Sequence, residues 1–170
     1  MFLVGGDTVA DVRYENGMIL PEYLPPPEKF EAGLQNYAGA IGAGAAAEYL
    51  QKIGMKNIEA HERSLLELAI KGLQNMDHIK ILGTDDISIK TGLVTFSLDS
   101  VDVAHDVAAF LSDEYGVMIR SGAHCVHPFH YQMGIPPSKG TNRASIYLYN
   151  NKHDVDIFLE GIRTLIDITS

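Results

Sequence analysis

Apolar residues recur with helical spacing in three long stretches of the chain. From Lys56 to Met76, the positions Ile58, Leu65, Leu66, Leu68, Ala69 and Leu73 fall on one side of a helix. Val103, Val107, Phe110 and Leu111 do the same between Val101 and Tyr115, and Gly116 supplies the stop. Val155, Ile157, Phe158, Ile162, Leu165 and Ile166 mark a closing helix from Lys152 to Ile168. Short apolar runs at Ile79 to Leu82 and Leu93 to Leu98 read as strands, parted by the polar turn Gly83-Thr84-Asp85-Asp86. Val117-Met118-Ile119 and Ala144 to Tyr149 read as two more. From residue 56 the order is helix, two strands, helix, two strands, helix. It predicts an α+β layer with helices on one face of a mostly antiparallel sheet.

The segment before residue 56 is patterned differently. Leu3-Val4-Gly5-Gly6 and Thr8 to Tyr14 read as short strand pieces, after which Pro21, Pro25, Pro26 and Pro27 forbid regular structure. The stretch has the character of a connector drawn from a larger sheet, or of an N-terminal arm. A helix follows from Ala38 to Ile53, with Ala43, Ala46, Ala47 and Leu50 at helical spacing and Gly54 closing it. Gly39, Gly42 and Gly44 each cost that helix about 1 kcal/mol against alanine. Such glycines permit close approach by a sheet, a ligand or a neighbouring subunit.

Composition narrows the possibilities. A chain of 170 residues holds one ordinary domain, or one domain and a fragment. The formal charge of −9 argues against nucleic acid or an anionic membrane as the main partner. Cys125 is the one cysteine, so no intrachain disulfide framework is available, and a reducing compartment is expected. No apolar run approaches the roughly 20 residues of a membrane helix. The opening residues, early in glycine, do not read as a signal peptide, so a soluble cytoplasmic protein is expected. Asp85-Asp86 reads as a solvated turn.

The densest chemistry lies in Arg120-Ser121-Gly122-Ala123-His124-Cys125-Val126-His127-Pro128-Phe129-His130. This stretch leaves a strand, turns at glycine, and sets a thiol among histidines and an arginine. Cysteine is a nucleophile as the thiolate, a form that neighbouring cations favour. Three readings stand at this point: a buried inert cysteine, a metal site built on His124, His127 and His130, and a catalytic thiol. Pro128 interrupts the histidine spacing, and no carboxylate lies close in sequence, which favours the thiol. Arg143 heads the strand at Ala144; a guanidinium there can grip a carboxylate through two parallel hydrogen bonds, or form a surface ion pair. Tyr37, Tyr131, Tyr147 and Tyr149 read as packing or rim residues.

Four stretches carry a resemblance to a known family. These are Phe30-Glu31-Ala32-Gly33 with Gly39, Ile41, Gly42 and Gly44; Arg120-Ser121-Gly122 with His124-Cys125 and Pro128; Arg143-Ala144-Ser145; and Tyr149-Asn150 with Asp154-Val155-Asp156. Together they resemble the C-terminal part of a class V aminotransferase-fold cysteine desulfurase of the Suf type, the selenocysteine-lyase-like group. The resemblance implies the small C-terminal domain of a fold type I pyridoxal-phosphate transferase, covering residues 38–170 with the interdomain helix. Residues 1–37 would then be a connector and strands normally belonging to the large domain. It further implies that Cys125 takes sulfur from L-cysteine as an enzyme persulfide while alanine leaves, with selenocysteine the alternative substrate. Arg143, Arg120 and His124 would bind substrate. The product would pass to a sulfur-acceptor protein for iron–sulfur cluster assembly, and the enzyme would be a homodimer.

Two departures from the family pattern matter. The Schiff-base lysine, the aspartate that pairs the cofactor nitrogen and the stacking histidine are absent from this chain, so lysine and cofactor would come from a large domain or partner chain. Ser138-Lys139-Gly140 lacks the lysine motif's context. Leu34 also stands where the family places a threonine that reaches the cofactor phosphate, leaving Gln35 or backbone amides for that contact. A non-catalytic sulfur-relay or interaction module, and another class V aminotransferase, are the alternative readings.

Overall fold

The computed structural model describes residues 6–84 and 86–170. The strand piece expected at Leu3-Val4-Gly5, and Asp85, lie outside the described residues. The chain divides into two compact units, Met1–Lys52 and Ile53–Ser170.

In the first unit, β1 (Val9–Glu15) and β2 (Met18–Tyr23) form an antiparallel hairpin. Its turn is Asn16-Gly17, with φ of 50° and 82°. Two central residues with positive φ define the turn whose twist matches two paired strands, and Asn-Gly is the pair that adopts it most cheaply. The proline-rich stretch is therefore not irregular throughout, contrary to expectation. Pro21 sits inside β2 opposite Val12, which a two-stranded ribbon tolerates because each strand has a free edge. Helix α1 (Tyr37–Ile53) begins where Asn36 Oδ1 accepts from the Gly39 amide at 2.9 Å. A Cβ on Gly42 or Gly44 would meet nothing within 4 Å, so the close approach expected there is not made among the described residues. Thr8 is the only buried residue described in this unit.

The second unit carries the core. It runs α2 (Met55–Gln74), β3 (Ile79–Leu82), β4 (Leu93–Leu98), α3 (Ala104–Tyr115), β5 (Arg120–Gly122), α4 (His127–Gln132), β6 (Thr141–Ser145) and α5 (Lys152–Thr169). Every pairing in the sheet is antiparallel, in the order β3-β4-β6-β5. Val94, Phe96 and Leu98 alternate along β4 and bury one face of the sheet. They share a cluster with Leu66 and Leu73 of α2, Val107 and Leu111 of α3, and Phe158 and Ile162 of α5. Each such side chain contributes roughly 1.5–3 kcal/mol on burial. Phe96 meets Phe158 edge-on, centroids 5.9 Å apart. Asn151 and Asp154 form a reciprocal capping box at the start of α5, and Gly116, at φ 64°, ends α3. Among the described residues no helix is long and apolar enough to cross a membrane.

Three expectations shift here. Val117 to Ile119 has no strand partner; the paired residues are Arg120–Gly122. The last strand is Thr141–Ser145 and not Ala144 to Tyr149, because the chain turns where the Tyr147 amide donates to Asn150 Oδ1. Arg143 is consequently the middle residue of β6 and not its head. Pro128 does not interrupt helical structure either. It occupies the first turn of α4, where its missing N–H has no partner to lose.

Candidate active site around Cys125

β5 and β6 place the charged groups. Their register sets Arg120 opposite Arg143, Ser121 opposite Asn142 and Gly122 opposite Thr141. After Gly122, at φ 99°, the chain makes a turn closed by the Val126 amide donating to the Ala123 carbonyl at 2.8 Å. Its two central residues, His124 and Cys125, have φ of 51° and 62°. Side chains other than glycine rarely take this left-handed backbone, at roughly 1–3 kcal/mol each, and surrounding structure must hold them there.

Several contacts supply that hold. His130 is buried on α4; its Nε2 lies 3.1 Å from Thr141 Oγ1 and its Nδ1 3.2 Å from the Val126 carbonyl. Gly140 packs so closely that a Cβ there would stand 2.6 Å from Gly122 Cα. The result is an exposed thiol on a pinned turn. Arg120 Nη2 donates to Cys125 Sγ at 3.3 Å. The inert buried cysteine is therefore not what the structure contains.

The guanidiniums of Arg143 and Arg120 both act on the His124 imidazole. Burial, then Arg143, Arg120 and His130, hold its imidazole below the ordinary value of 6.5. The Thr141 carbonyl pulls weakly the other way but lies outside hydrogen-bonding geometry, so both ring nitrogens are buried without a partner. Arg143 Nε is likewise buried and unpartnered. The cluster therefore presents unsatisfied donors, which suits a carboxylate or another small anion.

The structure brings Cys125, Arg120, His124 and Arg143 into one cluster. Gln35 belongs to the first unit, where it is exposed and its carbonyl accepts from the Tyr37 amide at 2.9 Å. Among the described residues no three His, Cys, Asp or Glu side chains could share a metal ion, and both His130 nitrogens are engaged. Sequence reasoning missed His130 as a pin and Gly140 as a spacer. Gly140, before a strand in a turn-rich stretch, carried a usable signal; His130 acquires its role only once α4 forms.

Residues 1–158 match the aminotransferase class-V family, and the chain belongs to that family. It is 41% identical over 163 residues to a cysteine desulfurase of Haloferax volcanii, covering 95% of this chain and 35% of that protein. The apo structure of a cysteine desulfurase from Thermococcus onnurineus NA1 superposes with a TM-score of 0.79 at 36% identity, over 98% of this chain and 39% of that one. Escherichia coli cysteine desulfurase CsdA, solved as its S-sulfonic acid, gives a TM-score of 0.78 at 31% identity, over 98% and 38%. The chain thus spans a little over a third of the length of the relatives it matches. The family and its cysteine desulfurase members depend on pyridoxal phosphate.

Proposed function

We propose that this chain supplies the sulfur-accepting and carboxylate-binding part of a cysteine desulfurase, with the cofactor lysine on a large-domain segment or partner chain. One observation carries the reading: Arg120 donates to Cys125 Sγ at 3.3 Å while Arg143, across the strand pair, keeps a buried Nε without partner. An exposed sulfur on the turn that follows β5 and a guanidinium with an unpartnered Nε on β6 are thereby tied to the same strand pair.

The residues fit the substrate's acid group and its sulfur. The cluster of Cys125, Arg120, His124, Arg143 and His130 contains no amine, so it does not itself hold the cofactor aldehyde. Pyridoxal phosphate, when bound, supplies the electron sink that activates the substrate carbon. Arg143 grips the carboxylate of L-cysteine. His124, held neutral by burial and by the two guanidiniums, adds no third charge beside them. The Cys125 thiolate attacks the substrate sulfur; the S–S bond forms as the C–S bond breaks. That bond's electron pair stays with the substrate carbon, which takes a proton and leaves as alanine. Arg120 donates to the resulting persulfide, which a sulfur-acceptor protein then discharges for iron–sulfur cluster assembly. The same reading makes the assembled enzyme a cytoplasmic homodimer.

The test is to combine the chain with L-cysteine, pyridoxal phosphate and a large-domain chain bearing the lysine. Alanine release with gain of one sulfur on Cys125 is expected, and Cys125→Ala should abolish both. Alanine release by this chain alone would contradict the division of the site. No release from any assembly, or undiminished release by Cys125→Ala, would contradict the desulfurase reading.

A further inference from the structure

We propose that His105 is a positioning residue for the thiol turn, acting through Ser121 and Gly122. The proposal builds on the reading of Cys125 as the sulfur acceptor. His105 lies in the first turn of α3, whose Val107 and Leu111 are buried in the core. Its Nδ1 is 2.7 Å from Ser121 Oγ. Its ring covers Gly122 so closely that a Cβ there would stand 3.1 Å from Cε1 and 3.2 Å from Nε2.

β5 needs such a contact. It has three residues and lies at the sheet edge, so among the described residues β6 is its only neighbouring strand. Arg120, immediately before Ser121, holds the sulfur, and the left-handed turn bearing Cys125 starts immediately after Gly122. A small movement of Ser121 and Gly122 displaces donor and thiol together. The Ala104 amide also donates to the Lys139 carbonyl at 2.9 Å, tying the same helix end to the turn that precedes β6. A rigid core helix thus fixes the edge strand on which the chemistry is mounted. Nothing local in the sequence announces this, because His105 lies far upstream of the turn it holds.

The experiment follows alkylation of Cys125 by iodoacetamide in the full chain, with circular dichroism confirming the fold. Variants are His105→Ala, His105→Asn, Ser121→Ala and the His105→Ala/Ser121→Ala double. We expect His105→Ala and Ser121→Ala each to slow alkylation about tenfold, since a displaced β5 no longer holds the Arg120 donor against the reacting sulfur. His105→Asn, which can keep a polar atom where Nδ1 stands, should recover most of the rate. The double variant should be no slower than either single, because both remove one link. In the assembled desulfurase, kcat should fall while KM for L-cysteine holds, since Arg143 lies on the doubly paired strand β6. Unchanged alkylation in folded His105→Ala, an Asn variant as slow as Ala, or additive losses would overturn the proposal. If His105→Ala fails to fold, Ser121→Ala and His105→Asn decide by the same criteria. Alkylation requires no turnover, so its outcome is the same whether or not the desulfurase reading holds.

Discussion

Arg120 and Arg143 stand directly opposite one another on β5 and β6, two guanidiniums paired across an antiparallel ladder. Like charges so placed destabilise a sheet by roughly 0.2–1 kcal/mol. Neither arginine forms an ion pair with a carboxylate among the described residues. The sheet therefore tolerates a repulsion that a bound carboxylate would relieve. Replacing Arg143 by Gln should leave the melting temperature unchanged or slightly raised. In the assembled enzyme, kcat/KM for L-cysteine should fall about 10- to 100-fold, the loss of a charge-assisted pair of hydrogen bonds. Arg143→Lys should recover little, because an ammonium lacks the fork. A marked loss of stability in Arg143→Gln would show instead that the side chain is structural.

His124 makes acid stability readable. Burial first, and then Arg143, Arg120 and His130, depress its folded-state pKa below 6.5. The unfolded chain therefore binds a proton near 6.5 that the folded chain refuses, and stability rises with pH across the interval between the two values. The contribution is complete above about pH 6.5 and is lost as pH falls through the folded value. His124→Asn, which tolerates left-handed backbone, should flatten the drop in melting temperature between about pH 7.5 and 5.5. An unchanged slope would mean that other groups set the acid limit.

The parts of this fold legible in the sequence are those with long periodic signals. Helices at Met55–Gln74 and Lys152–Thr169 and strands at Ile79–Leu82 and Leu93–Leu98 follow their apolar spacing closely. Short elements were hidden for physical reasons. β5 is three residues long and consists of Arg, Ser and Gly, so pairing with β6 makes it a strand, not intrinsic preference. α4 is six residues with a proline in its first turn. Pro21 masked β2, although Asn16-Gly17 signalled the hairpin. The thiol and its arginine were recognisable from residue type and order. Their support by His130, His105 and Gly140 was not, because it arises from tertiary contact.

Two glycine classes should respond oppositely to alanine. Gly140, at φ 68° with Gly122 Cα 2.6 Å from its would-be Cβ, combines strain with a backbone clash. Gly140→Ala should cost about 2–4 kcal/mol in denaturant unfolding and displace the thiol turn. Gly42, inside α1 with nothing within 4 Å, should gain about 1 kcal/mol of helix stability as Ala, seen as raised helicity. If Gly42→Ala nonetheless prevents assembly with a large-domain chain, that face meets the partner closely.

Hydrogen exchange should separate the two units. The first buries only Thr8 among its described residues, while Tyr14, Ile19, Ile41 and Tyr49 are each at least 60% exposed. A lone hairpin is marginal in water, and α1, at 17 residues with three glycines, is near the limit for an isolated helix. β4 lies between two strands with Val94 and Phe96 fully buried. Amides of β1, β2 and α1 should therefore exchange orders of magnitude faster than those of β4. Adding a large-domain chain should protect the first unit if its apolar side chains are contact surface. Equal protection of α1 and β4 in the chain alone would show that the first unit is stabilised by something other than its own packing.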